Sequence, residues 1–109
     1  MNFDEYKRLA MTTNHDTDNH DLQLADVGLG LAGEAGEVAD LIKKHLSQGH
    51  PLDLAKVKKE LGDILWYAAK GCHVLGFSMD EVAQENIAKL KARYPEGFSV
   101  ERSLNRKEG

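Results

Sequence analysis

Leu31-Ala32-Gly33-Glu34-Ala35-Gly36-Glu37-Val38-Ala39-Asp40-Leu41 sets three carboxylates, Glu34, Glu37 and Asp40, inside a stretch whose apolar residues recur every three or four positions. Leu24, Val27, Leu31, Ala35, Val38 and Ile42 keep that period, so a helix is predicted from about Asp21 to Ser47. Carboxylates belong on the wet side of such a helix. On a 3.6-residue wheel, however, Glu34 and Glu37 fall beside Leu31, Val38 and Leu41. Glu60-Leu61-Gly62-Asp63 repeats the arrangement, flanked by Ile64 and Tyr67. No matching set of inward Lys or Arg is visible on either helix. Hard divalent cations with oxygen ligands are the usual compensation for clustered carboxylates.

Working outward, the pattern is helical nearly throughout. Asn2 with Glu5 can cap a short first helix through about Met11, and Thr12 to Asn19 reads as a polar loop. Gln48-Gly49-His50-Pro51 stops the second helix. Asp53 is a good N-cap for a third, in which Leu54, Val57, Leu61, Ile64 or Leu65, Ala68, Cys72 and Leu75 form the expected buried stripe before Gly76 ends it. Ser78-Met79-Asp80-Glu81 is a capping box for a fourth helix to about Arg93, broken by Tyr94-Pro95-Glu96-Gly97. The expected class is all-α, with four to five helices in a single domain over residues 1–109, of which 98–109 read as a tail. An antiparallel helix pair is expected to complete a four-helix bundle by oligomerisation.

The short link between helices two and three implies an antiparallel hairpin, and folding the sequence about position 50 or 51 brings the acid pairs nearly level. Their centres differ by about four residues, roughly 6 Å of rise, across helix axes roughly 8–10 Å apart. The i,i+3 spacing puts both carboxylates of each pair on one face, so the two helices could present four acids to one or two Mg²⁺ or Mn²⁺ ions. A single pair would read as solvated acids at a helix edge. On the fourth helix, Asn86, Lys89 and Arg93 fall within about 60° of one another on the wheel. Arg can grip phosphate oxygens in bidentate fashion, Lys offers a point charge, and Asn could contact a metal-bound water, a sugar hydroxyl or another polar group. Taken alone, Lys and Arg near a helix C-terminus merely complement the macrodipole.

Composition excludes other classes. The chain has 109 residues, 41% apolar and 29% charged, which suits a globular domain with a modest core. No apolar run approaches the roughly 20 residues of a membrane span. The polar start Met1-Asn2-Phe3-Asp4-Glu5 lacks the features of a signal peptide, so the cytoplasm is the expected location and no membrane partner is expected. The lone Cys72 makes no internal disulfide. A net charge of −4 disfavours nucleic acid as a partner.

Several motifs are declined. Gly28-Leu29-Gly30-Leu31-Ala32-Gly33 matches the dinucleotide pattern, but no strand precedes it. Glycines there would each cost a helix about 1 kcal/mol relative to Ala, so close helix approach or room around a ligand is the better reason for them. Asp16, Asp18 and Asp21 fail the calcium-loop pattern at its sixth and twelfth positions, Asp21 and Val27. His15, His20, His45, His50 and His73 show no zinc spacing with Cys72. Trp66 and Tyr67 read as core or subunit-interface residues rather than a base-stacking platform.

Glu34-x-x-Glu37, a gap of 22 residues and Glu60-x-x-Asp63 resemble the motif of the all-α MazG-like nucleoside triphosphate pyrophosphohydrolases. The likeness extends through Gly30 to Asp40, Glu60 to Tyr67, and Asn86 to Phe98, covering most of Gly28 to Phe98. It implies hydrolysis of a nucleoside triphosphate to the monophosphate and pyrophosphate, with Glu34, Glu37, Glu60 and Asp63 as catalytic acids and metal ligands. Mg²⁺, or Mn²⁺ as a substitute, would neutralise the triphosphate and help deprotonate a water, with one carboxylate orienting it. Lys89, Asn86 and Arg93 would contact phosphate or sugar, with Lys43 or Lys44 as weaker candidates. Arg102 or Arg106 in the tail could fold over the nucleotide, or the tail could simply fray.

The resemblance also implies a homodimer or homotetramer. Two long helices of roughly 37 Å, poorly covered by two short ones, give an independent reason to expect a partner copy. Phosphoribosyl-ATP pyrophosphohydrolases share this fold and chemistry and remain an alternative, although the Lys89 to Phe98 ending is closer to the MazG-like group. A non-enzymatic helical interaction module is the reading from a different class.

Overall fold

The first residue outside each helix has a side chain that accepts a hydrogen bond from the backbone N–H three positions on. Asn2 accepts from Glu5, Asn19 from Leu22, Asp53 from Lys56, Ser78 from Glu81 and Ser99 from Arg102. Such caps satisfy N–H groups that lack a partner within the helix, each worth about 1 kcal/mol. The structure, a computed structural model, describes residues 1–106. It contains α1 (Phe3–Ala10), α2 (His20–Gln48), α3 (Leu54–Leu75), α4 (Met79–Arg93) and α5 (Val100–Leu104), with a 3-10 turn over Met11–Thr13. Among the described residues no strand forms, only an isolated bridge between Pro95 and Gly97. The all-α expectation is met. The tail is partly a helix, and residues 107–109 of that expectation lie outside the described residues.

Gly49 and Gly76 close α2 and α3 in the left-handed region, at φ 71° and 76°, a conformation that costs residues with a Cβ. The chain then reverses through Gly49 to Pro51, and α2 and α3 run antiparallel as the main packed pair. Across their seam Gly30 faces the ring of Tyr67, at a distance no side-chain carbon could occupy. That close approach explains one of the glycines that helix propensity alone disfavours.

α1 lies across α3 and α4. The Trp66 indole N–H donates to the Ala10 carbonyl at 3.1 Å and to Thr13 Oγ1 at 3.0 Å, pinning the 3-10 turn onto α3. Lys7 Nζ donates to the Phe77 carbonyl at 2.8 Å. Gln23, buried in the first turn of α2, donates to the Thr17 carbonyl at 3.3 Å and holds the entering loop.

Of the expected buried stripe on α3 only Cys72 is buried, Val57, Ile64 and Ala68 are half-buried, and Leu54, Leu61, Leu65 and Leu75 are exposed. Among the described residues the buried apolar side chains are Ala69, Cys72 and Met79, with Tyr6, Ala10, Met11 and Ala68 packed against them. Leu54 is 71% exposed and Leu61 54%, while on α2 Leu29 is 74% and Leu46 76% exposed. A two-helix layer has one internal seam, and its remaining apolar positions find nothing to cover them within a single chain. The radius of gyration, 17.0 Å, exceeds the roughly 13 Å of a compact domain of this length.

Candidate metal and substrate site

At mid-length of the α2–α3 pair, ligand oxygens of Glu34, Glu60 and Asp63 lie within 4.8 Å of one another. Glu34 comes from α2, one turn after Gly30. Glu60 and Asp63 come from α3, one turn apart and one turn before Tyr67. The antiparallel packing therefore brings the two motifs level, as the spacing about position 50 predicts. Glu37 stays outside this set of three and is exposed. It nevertheless adds its charge to the field at Glu34.

Like charge so concentrated has an electrostatic consequence. The Glu34 carboxyl is pushed up to about 7, first by a hydrogen bond shared with Glu60, then by burial and by the charges of Glu60, Asp63 and Glu37. Without that proton, Glu60 Oε2 is buried with no hydrogen-bond partner. Among the described residues no Lys, Arg or His pairs with Glu34, Glu60 or Asp63. Clustered carboxylate oxygens, one of them orphaned, fit a hard divalent cation better than any other compensation the chain offers.

The remaining candidates are not gathered there. Asn86 and Lys89 are exposed on α4, and Arg93 is half-buried with its Nε unpartnered. α4 makes its main packing contact with α1 rather than with the acid-bearing pair. Lys43 lies 3.5 Å and Lys44 2.9 Å from Asp40, one turn beyond the acids. Asp40 holds the Lys44 ammonium above its ordinary range. Arg102 and Arg106 are exposed.

Two residues escaped the sequence reading. Tyr6 on α1 has its hydroxyl pushed up by burial and then by the charge of Asp63, which places the first helix beside the acids. Lys70 on α3 is 4% exposed, its Nζ 3.4 Å from Asp26 on α2. That is one inward cation, which the sequence reading did not find, and it pairs with Asp26 rather than with the clustered acids. Its signal was the spacing: Lys70 stands seven residues after Asp63 and Asp26 eight before Glu34, each on the face of its helix that carries the acids.

An all-α fold organised around convergent carboxylates is the class these observations define. The family model of the MazG nucleotide pyrophosphohydrolase domain matches residues 23–98, from the first turns of α2 past the end of α4, with all four acids inside it. The chain belongs to that family. It is also 38% identical over 81 residues to the Gene 37 protein of Mycobacterium phage L5, an alignment covering 68% of each chain. No solved structure gives a significant match. No helix among the described residues is long and apolar enough to cross a membrane.

Proposed function

We infer that this nucleotide pyrophosphohydrolase domain hydrolyses nucleoside triphosphates to the monophosphate and pyrophosphate with a divalent cation, Mg²⁺ or Mn²⁺. The observation that carries this reading is the convergence of Glu34, Glu60 and Asp63, with no Lys, Arg or His among the described residues paired to them. These three would hold the ion. When bound, it would supply charge neutralisation and Lewis-acid polarisation of the phosphate oxygens.

The chain's own residues do the rest. Glu37, exposed one turn from Glu34 and outside the cluster of three, is free to orient a water and take its proton as the oxygen attacks the α phosphorus. The bond from that phosphorus to the bridging oxygen breaks, and pyrophosphate leaves. Lys89, Asn86 and Arg93 are the phosphate and sugar contacts, and a second copy is what would bring an α4 strip to the acids. The uncovered leucines of α2 and α3 and the extended single chain support such a homodimer or homotetramer.

The test is pyrophosphate release from a panel of canonical and modified nucleoside triphosphates with Mg²⁺ or Mn²⁺, with nucleotide products identified. Monophosphate and pyrophosphate should appear together. Glu60→Gln should lose both activity and cation binding, whereas Glu37→Gln should lose activity and retain the cation. Release of single phosphate, or no turnover of any nucleotide by folded, cation-loaded protein, would refute the reading.

A further inference from the structure

One turn beyond the acids, a groove of about 500 Å³ opens between α2, α3 and the segment after α1. Trp66 and Tyr67 line it from α3, their rings edge to face with centroids 5.0 Å apart. Its outer wall is Thr13 and Asn14, held in place by the Trp66 indole hydrogen bonds. At its far end sits Lys70, whose ammonium lies 5.9 Å from the Trp66 ring centre. Burial of a lysine to 4% exposure is expensive, and a single contact of 3.4 Å to an Asp26 side chain that is itself 48% exposed leaves two of its three donors unused. The acids do not explain it, because Lys70 stands about 10 Å along the α3 axis from Asp63.

We propose that this groove receives the nucleobase of the substrate and that Lys70 selects bases bearing a carbonyl oxygen. This deepens the reading of the chain as a nucleoside triphosphate hydrolase and rests on it. Reacting phosphates at the acids and a planar ring near Trp66 and Tyr67 would be separated by one to two helical turns, which a ribose can bridge. Aromatic side chains accept any base face. The buried ammonium does not: it donates well to the carbonyl oxygens of uracil, thymine, guanine or cytosine, whereas adenine has no carbonyl and carries an amine. A buried ammonium whose spare donors find no acceptor on the ligand is the kind of mismatch that yields strong discrimination.

Trp66 is the single tryptophan of the chain, so its fluorescence reports on the groove without requiring turnover. Titration of the full chain with dUMP, dGMP and dAMP should give saturable quenching, with dUMP and dGMP binding about tenfold or more tighter than dAMP. Lys70→Met keeps the side-chain volume, and the Asp26 carboxylate it abandons is already half in water, so the variant should fold, which circular dichroism checks. It should erase the difference between the bases. Asp26→Asn should keep it. Equal binding of dAMP, or discrimination that survives Lys70→Met, would overturn the proposal even if the triphosphate panel is hydrolysed. Carbonyl-selective quenching with no triphosphate hydrolysed would uphold the base site and refute the reaction instead.

Discussion

Asp4 and Asp80 cap each other's helices. The Asp4 carboxylate at the start of α1 accepts from the Met79 N–H at 2.7 Å and from Ser78 Oγ at 2.7 Å, while Asp80 at the start of α4 accepts from the Phe3 N–H at 2.9 Å. Each helix thus presents an acid to the positive end of the other, which suits both macrodipoles. The reciprocal pair fixes α1 against α4, and through Tyr6 and Trp66 it fixes α1 beside the acid cluster and the groove.

This clamp has a pH signature. Hydrogen bonds from Ser78, Met79 and Asp80 outweigh burial and hold the Asp4 carboxyl below its ordinary value of 3.8. Its contribution is therefore present above that value and lost as the pH falls through the depressed one. Asp4→Ala should lower the thermal midpoint by roughly 5 °C. Combined with Asp80→Ala the loss should be less than the sum, because each removes part of one interaction. Circular dichroism melts of the two single variants and the double check this.

Glu34 has the opposite sign. Its carboxyl titrates near 7 in the folded chain against an ordinary 4.5, so the folded state holds the extra proton and the cation-free protein should lose stability as pH rises from about 4.5 through 7. Melts at pH 5 and pH 8 in a chelator should show the higher midpoint at pH 5. Glu34→Gln should flatten that dependence.

Divalent cation should reverse the trend. Binding to the ionised cluster must displace the shared proton, so near pH 6 titration with Mg²⁺ or Mn²⁺ should release up to about one proton, read by calorimetry in buffers of different ionisation enthalpy. Saturating cation should raise the thermal midpoint, by an amount equivalent to about 2.7 kcal/mol at a hundredfold excess over Kd. Glu60→Gln should abolish both effects.

Gly30→Ala should destabilise by about 1–3 kcal/mol, because its Cβ collides with the Tyr67 ring and forces α2 and α3 apart. Gly28→Ala, with nothing within 4 Å of the added carbon, should stabilise by about 1 kcal/mol through helix propensity alone. Chemical denaturation of the two variants gives the comparison.

Light scattering should return a multiple of 12.1 kDa. Leu29→Lys and Leu46→Lys, placed where the leucines are 74% and 76% exposed in the single chain, should reduce that mass and leave the helical content of the protomer in place.

What the sequence alone determined was the first four helices and their approximate ends, but not the short α5 that the tail forms. Asn2, Asp53 and Ser78 cap N–H groups three residues away, Gly49 and Gly76 supply left-handed turns, and apolar residues three or four apart define the faces, all of which are interactions within one or two turns. The level of the two acid motifs was also legible, since a short antiparallel link makes it a matter of counting. The tertiary structure decided which side chains meet. The rotation and separation of packed helices, set by Gly30 against Tyr67 and by the Trp66 clamp, gather Glu34, Glu60 and Asp63 and leave Glu37 outside. The same packing buries Lys70 against Asp26, a pair 44 residues apart, and docks Asp4 onto a helix that begins more than 70 residues later. Such contacts depend on the summed shapes of whole helix faces, so no local pattern announces them. The exposure of so much of the apolar stripe follows for the same reason: periodicity marks a face as able to be buried, and only packing decides whether this chain or another copy covers it.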